Sequence, residues 1–99
     1  MKQFRFREWQ VYQDSQKLFS LLIKIVSKLP KEHRFDLGSQ ILRSGSSIIL
    51  NIAEGSGKQS EKELNRFIET ALGSTYETLA NLDILKINNM IDKTSYLSA

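Results

Sequence analysis

Apolar residues return along this chain at intervals of three, four and seven, the spacing that brings side chains to one face of a helix. From about residue 8 to residue 29, Val11, Leu18, Leu22, Ile25 and Leu29 keep that spacing, flanked by Tyr12, Phe19 and Val26. The pattern predicts a helix with one wide buried face. Pro30 and the charged run KEHRFD end it, because proline removes a backbone donor and crowds the preceding turn. A second helix is expected over 37–54, with Asp36 as its N-cap. Leu37, Ile41, Ile48 and Ile52 share its inner face, and Leu42 and Ile49 lie at the edge. Gly55 is expected to close it in a left-handed conformation.

Ser60-Glu61-Lys62-Glu63 has the Ser-x-x-Glu form of a capping box and opens a third helix over 61–88. Its expected inward stripe is Leu64, Phe67, Ile68, Ala71, Leu72, Thr75, Leu79, Leu82 and Leu85. The triplet Asn88-Asn89-Met90 breaks the pattern, and Asp92 to Ser95 reads as the cap of a short fourth helix over 92–99 carrying Tyr96 and Leu97. No segment alternates with period two, so the predicted class is all-α.

Ninety-nine residues make one domain, 1–99, and an apolar share of 40% is ordinary for a globular chain. The chain has no cysteine, which excludes disulfides and thiolate metal sites. Net charge is +3, unevenly spread. Residues 1–34 hold eight Lys and Arg against three acids, whereas residues 35–99 hold six against eight. The longest apolar runs, at 21–23 and 48–50, are far short of the roughly 20 residues of a membrane span. A cytoplasmic protein with no membrane partner is expected.

The segment NIAEGSGKQS, residues 51–60, superficially resembles a phosphate-cradling loop. A P-loop needs a glycine five residues before Gly57, where Ile52 stands, and Ser or Thr after Lys58, where Gln59 stands. The preceding segment is helical and not a strand, so the residues read as a turn between helices. His33 is the sole histidine and sits in a connector beside Glu32. A lone histidine makes a poor metal site, and no serine is marked as a nucleophile. No catalytic residue, cofactor or metal is expected, and the chain is read as a non-enzyme.

Three faces point away from the apolar stripes. On the second helix Gln40, Arg43, Ser47, Asn51 and Glu54 stack at spacings of three and four, either as a wet face or as a polar contact with another helix or subunit. On the third, Gly73, Ala80 and Ile87 lie seven apart with Ile84 beside them, a seam where another helix could approach closely. On the first, Lys17, Lys24 and Lys28 form a line, with Arg5, Arg7, Lys31 and Arg34 flanking it in sequence. Such a line can track phosphates, and it can equally be a solvated face. Phe4, Phe6 and Trp9 read as core or interface plugs.

The stretch from Gln40 to Thr78 resembles the signature of the 23S rRNA intervening-sequence proteins, also called the S23 ribosomal protein family. The matching positions are Gln40, Arg43, Ser47, Asn51, Ile52, Ala53, Glu54, Gly55, Phe67, Ala71, Gly73 and Ser74. Trp9, Leu18, Pro30 and Glu32 match the family's first helix and connector. The resemblance implies an antiparallel up-and-down four-helix bundle that assembles into homopentamers. The accessory variability proteins of diversity-generating retroelements form a related branch, and for a member of that branch the resemblance implies binding to nucleic acid and to a reverse transcriptase. Two departures stand out. Ser44 and Gly45 replace the family's usual alanines, with the expected effect of loosening the second helix. The chain also ends about eight residues into the fourth helix, shortening it relative to the family. Neighbouring chains are therefore expected to cover the apolar trough and the Gly73 seam. The function expected is that of an oligomeric bundle holding RNA or DNA on the basic face of its first helix; the alternative is a protein–protein scaffold with no nucleic-acid role.

Overall fold

A computed structural model describes residues 2–91 and 96–97. Three α-helices dominate: α1 (Gln10–Ser27), α2 (Ser39–Ser56) and α3 (Glu61–Ile87). No strand occurs among the described residues. A 3₁₀ segment, Lys2–Glu8, kinks at Phe4 and leads into α1. The connector to α2 is itself helical: a 3₁₀ turn at Lys31–His33, then a π-helical turn at Arg34–Gly38.

Helix α2 lies between the other two and packs against both. Gly38 sits against Val26 and Leu29, and Gly45 against Leu22 and Phe19, so α1 and α2 run antiparallel. Ser44 meets Thr78, Ser47 meets Ser74, and Gly55 meets Phe67, so α2 and α3 are antiparallel as well. The long axis measures 44 Å, close to the roughly 40 Å expected for a 27-residue helix. Leu22, Ile25, Leu29, Ile41, Leu82 and Leu85 fill one half of the core. Ile48, Ile52 and Ala71, backed by Trp9 and Tyr12, fill the other.

Several sequence expectations are corrected by the fold. Asp36 is not the N-cap of α2. Its carboxylate accepts the Leu37 N–H within the π turn, and Gly38 occupies the cap position without a side-chain bond. Gly55 does not close α2. It is a buried helical residue, a Cβ there would lie 2.8 Å from Phe67 Cβ, and the helix runs on to Ser56 with Gly57 still right-handed. Ser44 and Gly45 do not loosen α2, because both are buried contacts, one toward α3 and one toward α1.

The third helix is rotated from its predicted register. Its buried residues are Ala71, Ser74, Thr78, Asn81, Leu82 and Leu85, whereas Ile68, Leu72, Thr75 and Leu79 are exposed. The cause is at the α2 contact, where short hydroxyl side chains allow close helix approach and satisfy one another. Ser60 caps α3 as expected, its Oγ accepting the Glu63 N–H at 3.1 Å, the serine half of a capping box. After α3, Asn89 takes a left-handed φ of 57°. The Met90 and Asn89 N–H groups then donate to the Leu85 and Lys86 carbonyls at 2.8 and 3.1 Å, which is a Schellman stop. The fourth helix expected over 92–99 falls outside the described residues except for Tyr96 and Leu97, which are helical.

Candidate functional site

The basic face lies along α1. Lys17, Lys24 and Lys28 are all exposed on the side opposite the buried Leu22 and Ile25. No ion pair involves them among the described residues. Within α1 itself Asp14 is the sole acid, and its Oδ1 accepts from Gln10 Nε2 at 2.8 Å. From Lys17 to Lys28 the helix and its cap thus present one sign of charge over about 16 Å.

Of the flanking cations, Arg5 and Arg7 are set apart from this line by the first turns of α1. Arg5 and Arg7 are exposed in the 3₁₀ segment before α1, where the Arg7 guanidinium stands 5.4 Å from the Phe4 ring centre. Lys31 and Arg34 lie past the other end of the helix. Arg34 is also engaged locally, its Nε and Nη2 donating to the Leu29 and Ser27 carbonyls at 3.1 and 3.2 Å. These groups close the carboxyl end of α1, where a cation also complements the helix dipole.

The polar stripe of α2 divides in two. Ser47 and Asn51 are half-buried and joined, with Asn51 Nδ2 donating to the Ser47 carbonyl at 2.8 Å and to its hydroxyl at 3.0 Å. Ser74 of α3 donates to the same hydroxyl at 2.8 Å. Arg43 and Glu54 are exposed, and neither side chain has a hydrogen bond or ion pair among the described residues. Sequence reading missed a second link, the buried Ser44–Thr78 hydroxyl pair at 2.8 Å. Its signal was faint: Ser44 lies three residues before Ser47 and Thr78 four after Ser74, on the shoulder of the apolar stripe. Two buried nitrogens, Asn81 Nδ2 and His33 Nδ1, have no hydrogen-bond partner among the described residues, although His33 Nδ1 lies 3.7 Å from Asp36 Oδ1.

The outer side of α3 carries several apolar residues among its charged ones. Leu72 (52% exposed), Leu79 (51%) and Ile87 (82%) stand open with Ile68, Tyr76 and Ile84. Ala80 is exposed, and a Cβ on Gly73 would meet nothing within 4 Å. Among the described residues, nothing within the chain calls for a glycine at that point. At the Gly57-Lys58 turn, the Lys58 ammonium sits 5.0 Å from the centre of the Phe67 ring. The open depression beside it is lined by Glu61, Glu63 and Glu69 together with Lys62 and Arg66, and three carboxylates oppose a phosphate there.

No helix among the described residues is long and apolar enough to cross a membrane, and no described cluster of His, Asp and Glu has a metal-binding arrangement. Three antiparallel helices, the first two joined by a helical connector and the last two by a short turn, with charge on the first and exposed apolar residues on the third, define an all-α protein. The family model for the 23S rRNA-intervening sequence protein matches residues 7–99. The chain belongs to that family. A search of curated proteins finds no match.

Proposed function

We propose that the protein is a non-enzymatic assembly module: a helical bundle that associates with copies of itself and presents the basic face of α1 to RNA or DNA. One observation carries the assembly part. Helix α3 buries Ser74, Thr78 and Asn81 beside Ala71, Leu82 and Leu85 and leaves Ile68, Leu72, Tyr76 and Leu79 exposed, a row of apolar residues of the kind soluble chains normally cover. A fourth helix covers part of it in this reading. Tyr96 already binds the α3 flank, donating to Asp83 Oδ1 at 2.7 Å, with Lys86 stacked 4.5 Å from its ring. The Gly73–Ala80–Ile84–Ile87 strip is left for a neighbouring chain. The family resemblance favours a homopentamer as the closed state.

Sedimentation equilibrium at micromolar concentration tests the assembly. The wild-type chain should sediment as an oligomer. Leu79→Glu with Ile87→Glu should reduce its mass toward the monomer while leaving helical content unchanged. A wild-type monomer that unfolds cooperatively would sink the reading. The nucleic-acid part is tested separately by a salt titration. Binding should weaken linearly on a log–log scale by about 0.9 per phosphate neutralised. The triple variant Lys17→Glu, Lys24→Glu, Lys28→Glu should abolish binding and leave the oligomer intact. If the wild type binds no nucleic acid even at low salt, the protein–protein scaffold reading takes its place.

A further inference from the structure

Phe35 is the most exposed large apolar side chain among the described residues, with 90% of its surface open. It stands in the π-helical turn Arg34–Gly38, and such turns recur at functional positions because their hydrogen bonding is otherwise unfavourable. The turn is well anchored. Arg34 holds the Ser27 and Leu29 carbonyls, and Asp36 accepts the Leu37 N–H. Gly38 is packed so tightly that a Cβ would lie 2.9 Å from Val26. The ring is therefore presented by a fixed scaffold. Lys31 precedes it by four residues in the helical connector, and across the extended Pro30 stand Lys28, the C-cap of α1, and Lys24 in its last turn.

We propose that this end of the molecule binds single-stranded nucleic acid, with one base stacked on the Phe35 ring and Lys24, Lys28 and Lys31 meeting the phosphates beside it. The proposal rests on the nucleic-acid reading above and deepens it. An isolated aromatic next to a cationic track is the arrangement that holds unpaired strands, since every base offers a π-face and the charges follow the backbone. In a duplex those faces are covered by neighbouring bases, so the ring discriminates against paired strands. A second protein chain fits less well here. Phe35 is flanked in sequence by Arg34 and Asp36, whereas the apolar surface suited to a protein partner is on α3. Glu32 is the acid that opposes the arrangement, because the Asp36 carboxylate is already engaged within its own turn.

The experiment uses the full chain, a fluorescent oligothymidylate and a duplex of equal phosphate count, read by anisotropy at low salt. The wild type should favour the single strand. Phe35→Ala should weaken single-strand binding roughly 5- to 150-fold, the loss seen for one stacked base, without changing the salt slope or the duplex affinity. Phe35→Trp should restore it. Lys24→Glu with Lys28→Glu should weaken both probes and flatten the slope. If Phe35→Ala binds the single strand as the wild type does while the lysine variant fails, stacking is overturned and the charge reading survives. If the wild type binds neither probe, both fall. If Phe35→Ala instead lowers the sedimentation mass and leaves binding unchanged, Phe35 is a contact between copies and the proposal is wrong.

Discussion

Helix α2 is approached from both sides, and the two approaches differ. On the α1 side, contact is made by alkyl and aromatic groups against glycine: Leu22 and Phe19 close over Gly45. On the α3 side, two hydroxyl pairs, Ser44 to Thr78 and Ser47 to Ser74, and Gly55 against Phe67 stand among the apolar contacts of Ile41, Ile48 and Ile52 with Ala71, Leu82 and Leu85. The outer faces differ in the opposite sense. Helix α1 turns lysines to solvent, as a surface helix does, whereas α3 turns leucines and isoleucines outward. Helix α3 thus gives half of its buried positions to Ser74, Thr78 and Asn81, beside Ala71, Leu82 and Leu85, while Leu72, Leu79 and Ile87 stay outward. In the assembly proposed above, α1 would lie at the periphery and α3 in the middle.

The largest effect expected from disturbing this division is at Gly55. A methyl group there would collide with Phe67 Cβ, an atom fixed to the α3 backbone, so the helices must separate. Overpacking of this kind costs about 1–3 kcal/mol. Alanine's better helix propensity returns up to about 1 kcal/mol. Gly55→Ala should lose about 1–2 kcal/mol in denaturant unfolding. Gly45→Ala should lose less, because the atom in its way is a terminal Leu22 methyl that can rotate. Equal losses at the two sites would erase the distinction between the contacts.

Next in size is the hydroxyl pair. Thr78 also donates to the Ser74 carbonyl at 2.8 Å, and Ser44 can donate to Ile41 at 3.1 Å, so neither is stranded when the other is removed. Thr78→Val should therefore cost only about 1 kcal/mol, the low end of the range for a buried polar group losing its partner. Combined with Ser44→Ala, the two losses should sum to more than the double variant shows. Strict additivity would mean that the two oxygens do not interact.

Gly73 separates the isolated chain from the assembled one. With no neighbour within 4 Å, Gly73→Ala should stabilise a lone chain by up to about 1 kcal/mol through helix propensity. If another chain packs there, the same change should instead lower the sedimentation mass. A stabilised chain of unchanged mass would leave the strip without a partner.

How much of this could be read from sequence follows the same division. The stripes of α1 and α2 were legible because their buried faces are apolar, and hydropathy places such residues inward; the exception is Val11, expected on the buried stripe but 56% exposed near the start of α1. For α3 the same rule failed. Ser74, Thr78 and Asn81 were not on the expected inward stripe yet are buried, whereas Leu72 and Leu79 were on it and are exposed. A buried serine or threonine whose hydroxyl bonds a helix carbonyl is cheap to bury, and no periodicity announces it. The lysine line was legible from spacing alone. That Arg34 serves the end of α1, and that Phe35 stands open, depends on a π turn with no sequence signature.

The smallest expected effect concerns the return of the chain along α3. The Tyr96 hydroxyl donates to the Asp83 carboxylate, and that hydrogen bond, followed by the carboxylate's charge, raises the phenol's pKa above its ordinary 10.0. The sign follows directly. A phenol that holds its proton more tightly when folded contributes its full stabilisation below about pH 10, and loses it as pH rises through the raised value. The link between Tyr96 and α3 should therefore loosen only in strong alkali, not near neutrality. Tyrosinate absorbance, taken as the difference between the wild type and Tyr96→Phe, should titrate above pH 10, and Asp83→Asn should bring it back down. The group is open to water, so the shift will be modest and partly screened by salt. A Tyr96 titration that Asp83→Asn leaves in place would show that the hydroxyl and carboxylate do not meet in solution, and that the chain does not return along this flank of α3.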